Sequence, residues 1–278
     1  MERNVMTAQN INKELRKLQQ DWYDNLPDKY KQHDIFSSPF CLGISEKTIE
    51  ERNTGKPLIM YIGEEPNNWW FEKEEQRVLE YVQGCSIAYF DRQMRKSFEK
   101  QSDYEEKYCD AYTNGVIKRN SSQFWNLLRK IKKELNCAAC WNDLDKLHRI
   151  GAKRETIKLN DFFLEEQAQL HIPFNDSNQS LLLQEINLLK PDIIIFMGAN
   201  YRQSIEKGLG LQENKLINKA PKLDINKTVV DISNECFEAL EYCAKVLWMC
   251  HPTALTKNKS GSFYSHTIEN MVELIKNK

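Results

Sequence analysis

Apolar and polar positions recur along the chain with two different periods, and these periods predict both helices and strands. Residues 8–25 place Ile11, Leu15, Leu18 and Trp22 at helical spacing, with Lys and Arg between them. Residues 192–198, by contrast, form an almost unbroken apolar run that ends in glycine, as in a parallel strand covered on both faces. The pattern therefore predicts an amphipathic N-terminal helix and a deeply buried strand.

The same reasoning gives the remaining elements. Helices are predicted at 74–82, 87–100, 121–135, 179–190, 200–207, 234–244 and 266–276. Strands are predicted at 57–62, 137–141, 192–198 and 246–250, with further short strands within 215–231 and a loop at 26–56. Helices alternating with four apolar strands predict an α/β protein, a three-layer α/β/α sandwich with a four-stranded, mainly parallel sheet and an N-terminal helical extension.

The chain length suits one α/β domain with an added helical segment, since it has 278 residues. We expect residues 1–56 to pack on the core as a helix and a loop. Residues 57–278 are expected to form the α/β domain itself, with a helical insertion at 72–120.

Composition narrows the class of protein. Apolar residues make up 41% and charged residues 28%, and no apolar run approaches the roughly 20 residues needed to span a bilayer. The segment Met1-Glu2-Arg3-Asn4 lacks the apolar core of a signal peptide. We therefore expect a cytoplasmic, monomeric protein without a membrane partner.

The eight cysteines are expected to be reduced thiols in such a protein. Cys137 and Cys140 form a CxxC pair within an apolar segment, and no second pair follows at zinc spacing. This pattern favours buried thiols over a metal or redox site, and we expect no cofactor.

The net charge of −1 does not by itself indicate a nucleic-acid-binding protein. Basic residues do cluster between Lys118 and Lys133. The cluster is open to two interpretations, a solvated helix face or a surface that contacts phosphate.

Polar residues gather directly after the predicted strands. Gly63 to Trp70 follow the strand at 57–62, and Asn142-Asp143 follow the strand at 137–141. The two later strands are followed by Gly198 to Tyr201 and by His251 to Thr253. Because parallel strands end at one edge of a sheet, where ligands bind in open α/β folds, these segments are expected to converge on a site.

The segments, in this order, resemble the uracil-DNA glycosylase superfamily. Its first motif, a strand followed by Gly-x-Asp/Glu/Asn-Pro, is matched by Gly63-Glu64-Glu65-Pro66. Its late motif, a strand followed by His-Pro-Ser/Thr, is matched by His251-Pro252-Thr253. Asn142 matches the family's pyrimidine-reading asparagine, and the resemblance covers about residues 55–275.

The resemblance implies an enzyme that flips a base out of DNA and hydrolyses its N-glycosidic bond. Glu65, with Glu64 as the rival, would orient water and stabilise the positive charge on the sugar. His251 would donate to the anionic base as it leaves. The implied base-binding residues are Asn142, Asn67, Trp69, Trp70 and Phe71. The implied DNA-binding residues are the wedge Leu255 together with Lys257, Lys259, Thr253 and Asn200.

The chain departs from the uracil-specific branch within the first motif. That branch has a tyrosine that excludes thymine, whereas this chain has Asn67 and Asn68 after Pro66. The smaller side chain leads to the hypothesis that the substrate is a C5-modified pyrimidine, such as the glucosylated hydroxymethylcytosine of phage DNA. Glu65 is also one methylene longer than aspartate. The cysteines do not match the family's iron–sulfur spacing, so no cluster is expected.

The sequence also bears on two other functions. A Rossmann enzyme requires Gly-x-Gly-x-x-Gly after a strand, and Gly198-Ala199-Asn200 lacks the second glycine. The stronger rival is a non-catalytic module that keeps the glycosylase fold and binds nucleic acid or a protein. Structural interpretations are open as well. Glu64 and Glu65 can form a solvated acidic turn or the first turn of a helix, and His251 can be a structural histidine. Trp69 and Trp70 can be core aromatics, and Asn142-Asp143 can be a turn or a helix cap.

Overall fold

The computed structural model describes residues 7–26, 28, 31, 40–63, 78–94, 123–144, 146, 149–150, 156–157, 179–198, 202–213, 215–216, 229–250, 252 and 262–276. The helices are Ala8–Asn25 (α1), Glu46–Asn53 (α2), Val78–Met94 (α3), Gln123–Leu135 (α4), Leu181–Leu189 (α5), Arg202–Gly208 (α6), Ser233–Cys236 (α7) and Ser262–Lys276 (α8). The strands are Leu58–Gly63 (β1), Ala138–Asp143 (β2), Arg149–Ile150 (β3), Thr156–Ile157 (β4), Ile193–Met197 (β5), Val230–Asp231 (β6) and Lys245–Met249 (β7).

The main sheet has five strands in the order β2-β1-β5-β7-β6. The first four are parallel and correspond to the four predicted strands, so the α/β class and the mainly parallel sheet are confirmed. The predicted strand number is wrong, because β6 adds an antiparallel edge to β7. At two residues, β6 is too short to produce a periodic signal. The separate β3-β4 hairpin, also two residues a strand, was not predicted.

Helices contact the sheet from both faces. Successive residues of a strand point to opposite faces, and the side chains at the end of β2 show which helix lies on each. Asn142 donates to Glu185 of α5, whereas the neighbouring Trp141 packs against Trp125 of α4, with ring centroids 5.1 Å apart. Strands β1, β2 and β5 are buried at every position, as their apolar runs predict.

The N-terminal helix α1 belongs to the core. Ile11, Leu15 and Trp22 are buried on one side of it, as predicted, whereas Leu18 is only partly buried and the polar Gln19 is buried. The helix packs against α5. Asn12 exchanges two hydrogen bonds of 2.8 Å with the backbone of Ile44, one through its amide and one through its carbonyl oxygen. These bonds fix α1 to the chain that leads into α2.

The prediction of a loop over 26–56 is wrong, because α2 occupies Glu46–Asn53. Ser45 caps this helix by accepting a hydrogen bond from the backbone of Thr48. Only Thr48 and Ile49 of α2 are buried, so the helix lacks the apolar stripe from which it would have been recognised.

Two further helix predictions need correction. Helix α3 runs without a break through residues 83–86, where two separate helices were predicted. Gln83 and Ser86 are polar yet buried, since they bond to the backbone carbonyls of Leu42 and Cys41. The helix predicted at 234–244 ends at Cys236. Among the described residues, no helix is both long and apolar enough to cross a lipid bilayer.

Candidate functional site

The carboxyl ends of the four parallel strands lie level with one another. Ile62 of β1 is in register with both Asn142 of β2 and Phe196 of β5, and Phe196 is in register with Trp248 of β7. Neighbouring strands are about 4.8 Å apart, so β1 and β7, which flank β5, end about 10 Å from each other. The segments that follow these strands therefore leave the sheet from one edge.

Most of the predicted site residues lie outside the described residues. This holds for the first-motif residues Glu64, Glu65, Asn67, Trp69, Trp70 and Phe71. It also holds for Asn200, His251, Thr253, Leu255, Lys257 and Lys259. Their roles stay predictions. Gly63 at the end of β1, Gly198 after β5 and Cys250 after β7 are described and are buried.

Gly63, the glycine of the first motif, is required by packing. A Cβ atom at this position would lie 2.5 Å from Oδ1 of Asp143 and 3.3 Å from the Phe124 ring. Asp143 is itself buried, and its Oδ1 accepts a hydrogen bond of 3.1 Å from the Trp141 indole. A buried carboxylate thus lies against the start of the first motif, a position to which the sequence analysis gave no role.

Asn142 is buried, and both ends of its carboxamide are engaged by other protein groups. Its Nδ2 donates to Oε2 of Glu185 at 3.0 Å. Its Oδ1 accepts from the backbone N–H of Asp143 at 2.9 Å and from the ammonium group of Lys146. The predicted reading of a pyrimidine edge by Asn142 stays a prediction, and it would require the carboxamide to leave these partners.

The partners of Asn142 form a buried charged cluster beneath the end of β2. Lys146 and Glu185 make an ion pair of 2.6 Å, with side-chain exposures of 5% and 0%. Gln19 of α1 donates to the other carboxylate oxygen of Glu185 at 3.0 Å. The ammonium group of Lys146 also lies 5.0 Å from the centre of the Phe40 ring. The sequence signal for this cluster is an acid within the apolar helix Leu181–Leu189.

A second group of side chains lies where β5 and β7 end. Gly198 has a φ of 138°, which favours glycine, and its N–H donates to the carbonyl of Met249. Its own carbonyl accepts a hydrogen bond of 3.0 Å from the Trp248 indole. The guanidinium carbon of Arg202 lies 6.0 Å from the centre of the Trp248 ring. Arg202 lies on a short helix without a motif, so no signal in the sequence marks it as a candidate site residue.

The CxxC thiols are buried, as predicted. Burial raises the pKa of both Cys137 and Cys140 to about 12, so both are protonated at neutral pH. A protonated, buried thiol is neither a good nucleophile nor a good metal ligand. Within the described ranges, no group of three or more His, Cys, Asp or Glu side chains is placed to hold a metal ion.

A cavity of about 540 Å³ lies between α1, α2 and α3, away from the carboxyl edge. Its wall includes Thr48, which bonds to the carbonyl of Ala139 near the amino end of β2. It also includes Lys132, which is paired with Glu51. The cavity therefore lies toward the opposite end of the sheet from the predicted site.

Along this edge, the buried carboxylate of Asp143 lies beside the end of β1, and the guanidinium group of Arg202 lies near Trp248 of β7. Such an edge can accommodate a ligand with both polar and anionic groups. The chain matches no protein-family model, and its sequence is not significantly similar to that of any curated protein.

Proposed function

We propose that the protein is a DNA glycosylase with the three-layer α/β/α fold of the uracil-DNA glycosylase superfamily. The observation that carries the proposal is the level ending of β1 and β7, one strand apart in a parallel sheet. The first motif follows β1 and the His-Pro-Thr motif follows β7. A separation of about 10 Å between these strand ends suits a single nucleotide held between the two motifs.

In the proposed reaction, water adds to C1′ of the sugar and the N-glycosidic bond breaks, which leaves an abasic site and the free base. Glu65, or its rival Glu64, orients the water and stabilises the positive charge that builds on the sugar. His251 donates to the carbonyl oxygen of the leaving base. A preorganised donor of this kind lowers the barrier by about 3 kcal/mol.

The proposed substrate is a flipped pyrimidine, with a C5-modified base such as glucosylated hydroxymethylcytosine as the specific hypothesis. Asn67 stands where the uracil-specific branch has its excluding tyrosine, and Trp69, Trp70 and Phe71 supply aromatic rings for stacking. Asn142 is the proposed reader of the base edge, and this role requires its carboxamide to exchange Glu185 and Lys146 for the base.

The proposal is tested by incubating the purified protein with oligonucleotides that carry uracil, a G·T mismatch, hydroxymethylcytosine or glucosylated hydroxymethylcytosine. Alkali then cleaves the strand at any abasic site. We expect cleavage at a C5-modified base. The variants Glu65→Gln and His251→Ala should each lower the single-turnover rate by about 100-fold or more, because each removes a group that acts in the transition state.

Glu134→Gln is the matched control, since Glu134 is exposed near the end of α4, before the amino end of β2. Its rate should equal that of the wild type. Glu64→Gln decides between the two acids of the first motif. Intact strands on every substrate, with DNA still bound, would favour the non-catalytic module. Full activity on uracil alone would refute the C5-modified substrate.

A further inference from the structure

Arg202 is a half-buried cation without an anionic partner in the part of the chain that the structure describes. Its guanidinium group is engaged there by the ring of Trp248 alone, with neither a hydrogen bond nor an ion pair. Two other partly buried cations near the sheet have an acidic partner: Lys132 pairs with Glu51, and Lys245 pairs with Asp231. A partly buried cation that lacks such a partner can bind an anionic ligand.

The position of Arg202 is fixed at the carboxyl edge. Arg202 begins α6, four residues after Gly198 at the end of β5. Trp248, on which it stacks, is the penultimate residue of β7 and is fully buried. The guanidinium group therefore lies over the ends of β5 and β7, beside the point where the chain continues from β7 to His251.

Among the described residues, none makes a hydrogen bond with the guanidinium group of Arg202. An aromatic ring attracts the flat face of a guanidinium group and restricts its orientation. The five N–H donors lie in the plane of the group, where they match the spacing of two oxygens on a phosphate. Trp248 cannot move easily, because its indole N–H is bonded to the carbonyl of Gly198. Arg202 thus lies beside a ring that is itself held in place.

We propose that Arg202 binds a phosphodiester group of the nucleic-acid substrate, next to the nucleotide held between the two motifs. The inference rests on the proposed function, which supplies the nucleic acid. A contact to the backbone carries no sequence information, so it should contribute similarly for every oligonucleotide.

The test measures binding of fluorescent oligonucleotides by anisotropy over a series of salt concentrations, with wild type, Arg202→Gln, Arg202→Lys and the control Lys13→Gln. Arg202→Gln should weaken binding about tenfold on all sequences, because it removes a charge-assisted contact. The slope of log K against log salt should fall by about 0.9 on duplex or about 0.7 on single strands. Thermal unfolding of each variant shows that it is folded.

Arg202→Lys keeps the charge but loses the planar fork, so its salt slope should return to the wild-type value while its affinity stays lower. Lys13 is an exposed cation on α1, and Lys13→Gln should leave both the affinity and the salt slope unchanged. Competition with inorganic phosphate distinguishes a general phosphate site, which it would block at millimolar concentration, from a backbone contact.

Three results would overturn the inference. If wild type binds oligonucleotides and Arg202→Gln keeps both its affinity and its salt slope, Arg202 makes no phosphate contact and the proposed function stands. If inorganic phosphate competes at millimolar concentration, the site is not specific for a phosphodiester. If wild type binds no oligonucleotide at all, the inference and the proposed function fail together.

Discussion

At the scale of single residues, Glu185 and Lys146 place opposite charges where almost no water reaches them. Removing such charges from water costs several kcal/mol each, and their attraction offsets that cost only when the remaining donors and acceptors are also bonded. The two charged groups have such bonds, because Gln19 and Asn142 each donate to Glu185 and the carbonyl oxygen of Asn142 accepts from Lys146. Among the described residues, Oε1 of Gln19 is buried without a hydrogen-bond partner. The cluster ties α1, β2 and α5 together.

Removing one member of the pair should therefore lower the free energy of unfolding more than removing both members. We expect Glu185→Leu alone to lower the free energy of unfolding by about 3–5 kcal/mol, since it leaves a buried ammonium group unpaired. The double variant Glu185→Leu/Lys146→Met should cost clearly less than the sum of the single changes. Urea unfolding of all four proteins measures this coupling. Additive single effects, within about 0.5 kcal/mol, would show that the pair is not coupled.

These partners were beyond prediction from the sequence for a physical reason. The end of β2 was predictable because a polar Asn142-Asp143 pair follows an apolar run. Glu185, however, lies 43 residues from Asn142 and 166 residues from Gln19. Contacts over such separations depend on the arrangement of whole elements, which local periodicity does not contain.

At the scale of elements, the short strand β6 is held to β7 by side chains as well as by backbone pairing. Asp231 of β6 accepts hydrogen bonds from Lys245 at 2.7 Å and from the hydroxyl and N–H groups of Ser233. Ser233 in turn accepts from the N–H of Val246 in β7. Burial alone would raise the pKa of Asp231, but the bonds from Lys245 and Ser233 outweigh it and lower the pKa below its usual value.

A carboxyl group whose pKa is lower in the folded state stabilises the protein above its unfolded pKa of about 3.9. That contribution is lost as the pH falls through the lower, folded pKa. We expect Asp231→Asn to lower the free energy of unfolding by about 1 kcal/mol at pH 7. The effect is modest because the Asp231 side chain is 33% exposed, so water partly screens the ion pair.

Urea unfolding at pH 7 and at pH 2 measures the effect, and the difference from wild type should be smaller at pH 2. Glu213→Gln, at an exposed position, is the control and should have little effect at either pH. An equal cost of Asp231→Asn at both pH values would show that the charge of Asp231 makes no contribution.

The elements that were predicted well are those with a long apolar stripe or run. Helices α1 and α4 and the four parallel strands bury such patterns, and their observed ends agree with the predicted ones to within two residues. Helix α2 was not predicted, and β6 was expected only as a short strand somewhere within 215–231, because few of their side chains are buried. The break predicted within α3 has a different cause, because buried polar residues such as Gln83 are of the type found in surface loops.

At the scale of the whole molecule, the sequence predicts parallel strands but not their order. The apolar runs are alike, so nothing in them indicates that β1 lies between β2 and β5. The order decides which segments leave the sheet side by side, and hence which residues form the candidate site.

The cysteines differ in accessibility, and alkylation of their thiols tests where each one lies in the molecule. Cys243 is exposed, whereas Cys137 and Cys140 are buried and have pKa values raised to about 12. We expect iodoacetamide at pH 8 to modify Cys243 in the native protein and to modify the CxxC pair only after denaturation. Mass spectrometry of the digested protein locates the label. Labelling of Cys137 or Cys140 as fast as Cys243 would indicate a reactive pair instead.

An open sheet has two edges at which a strand from another molecule can add, which is a common route to aggregation. In this protein the outer strand β2 is covered by α2, and the Thr48 hydroxyl donates to the Ala139 carbonyl on that side. At the other edge, β6 offers a template of two residues. The segment that resembles a loop in the sequence is therefore the one that protects the sheet against strand addition between molecules.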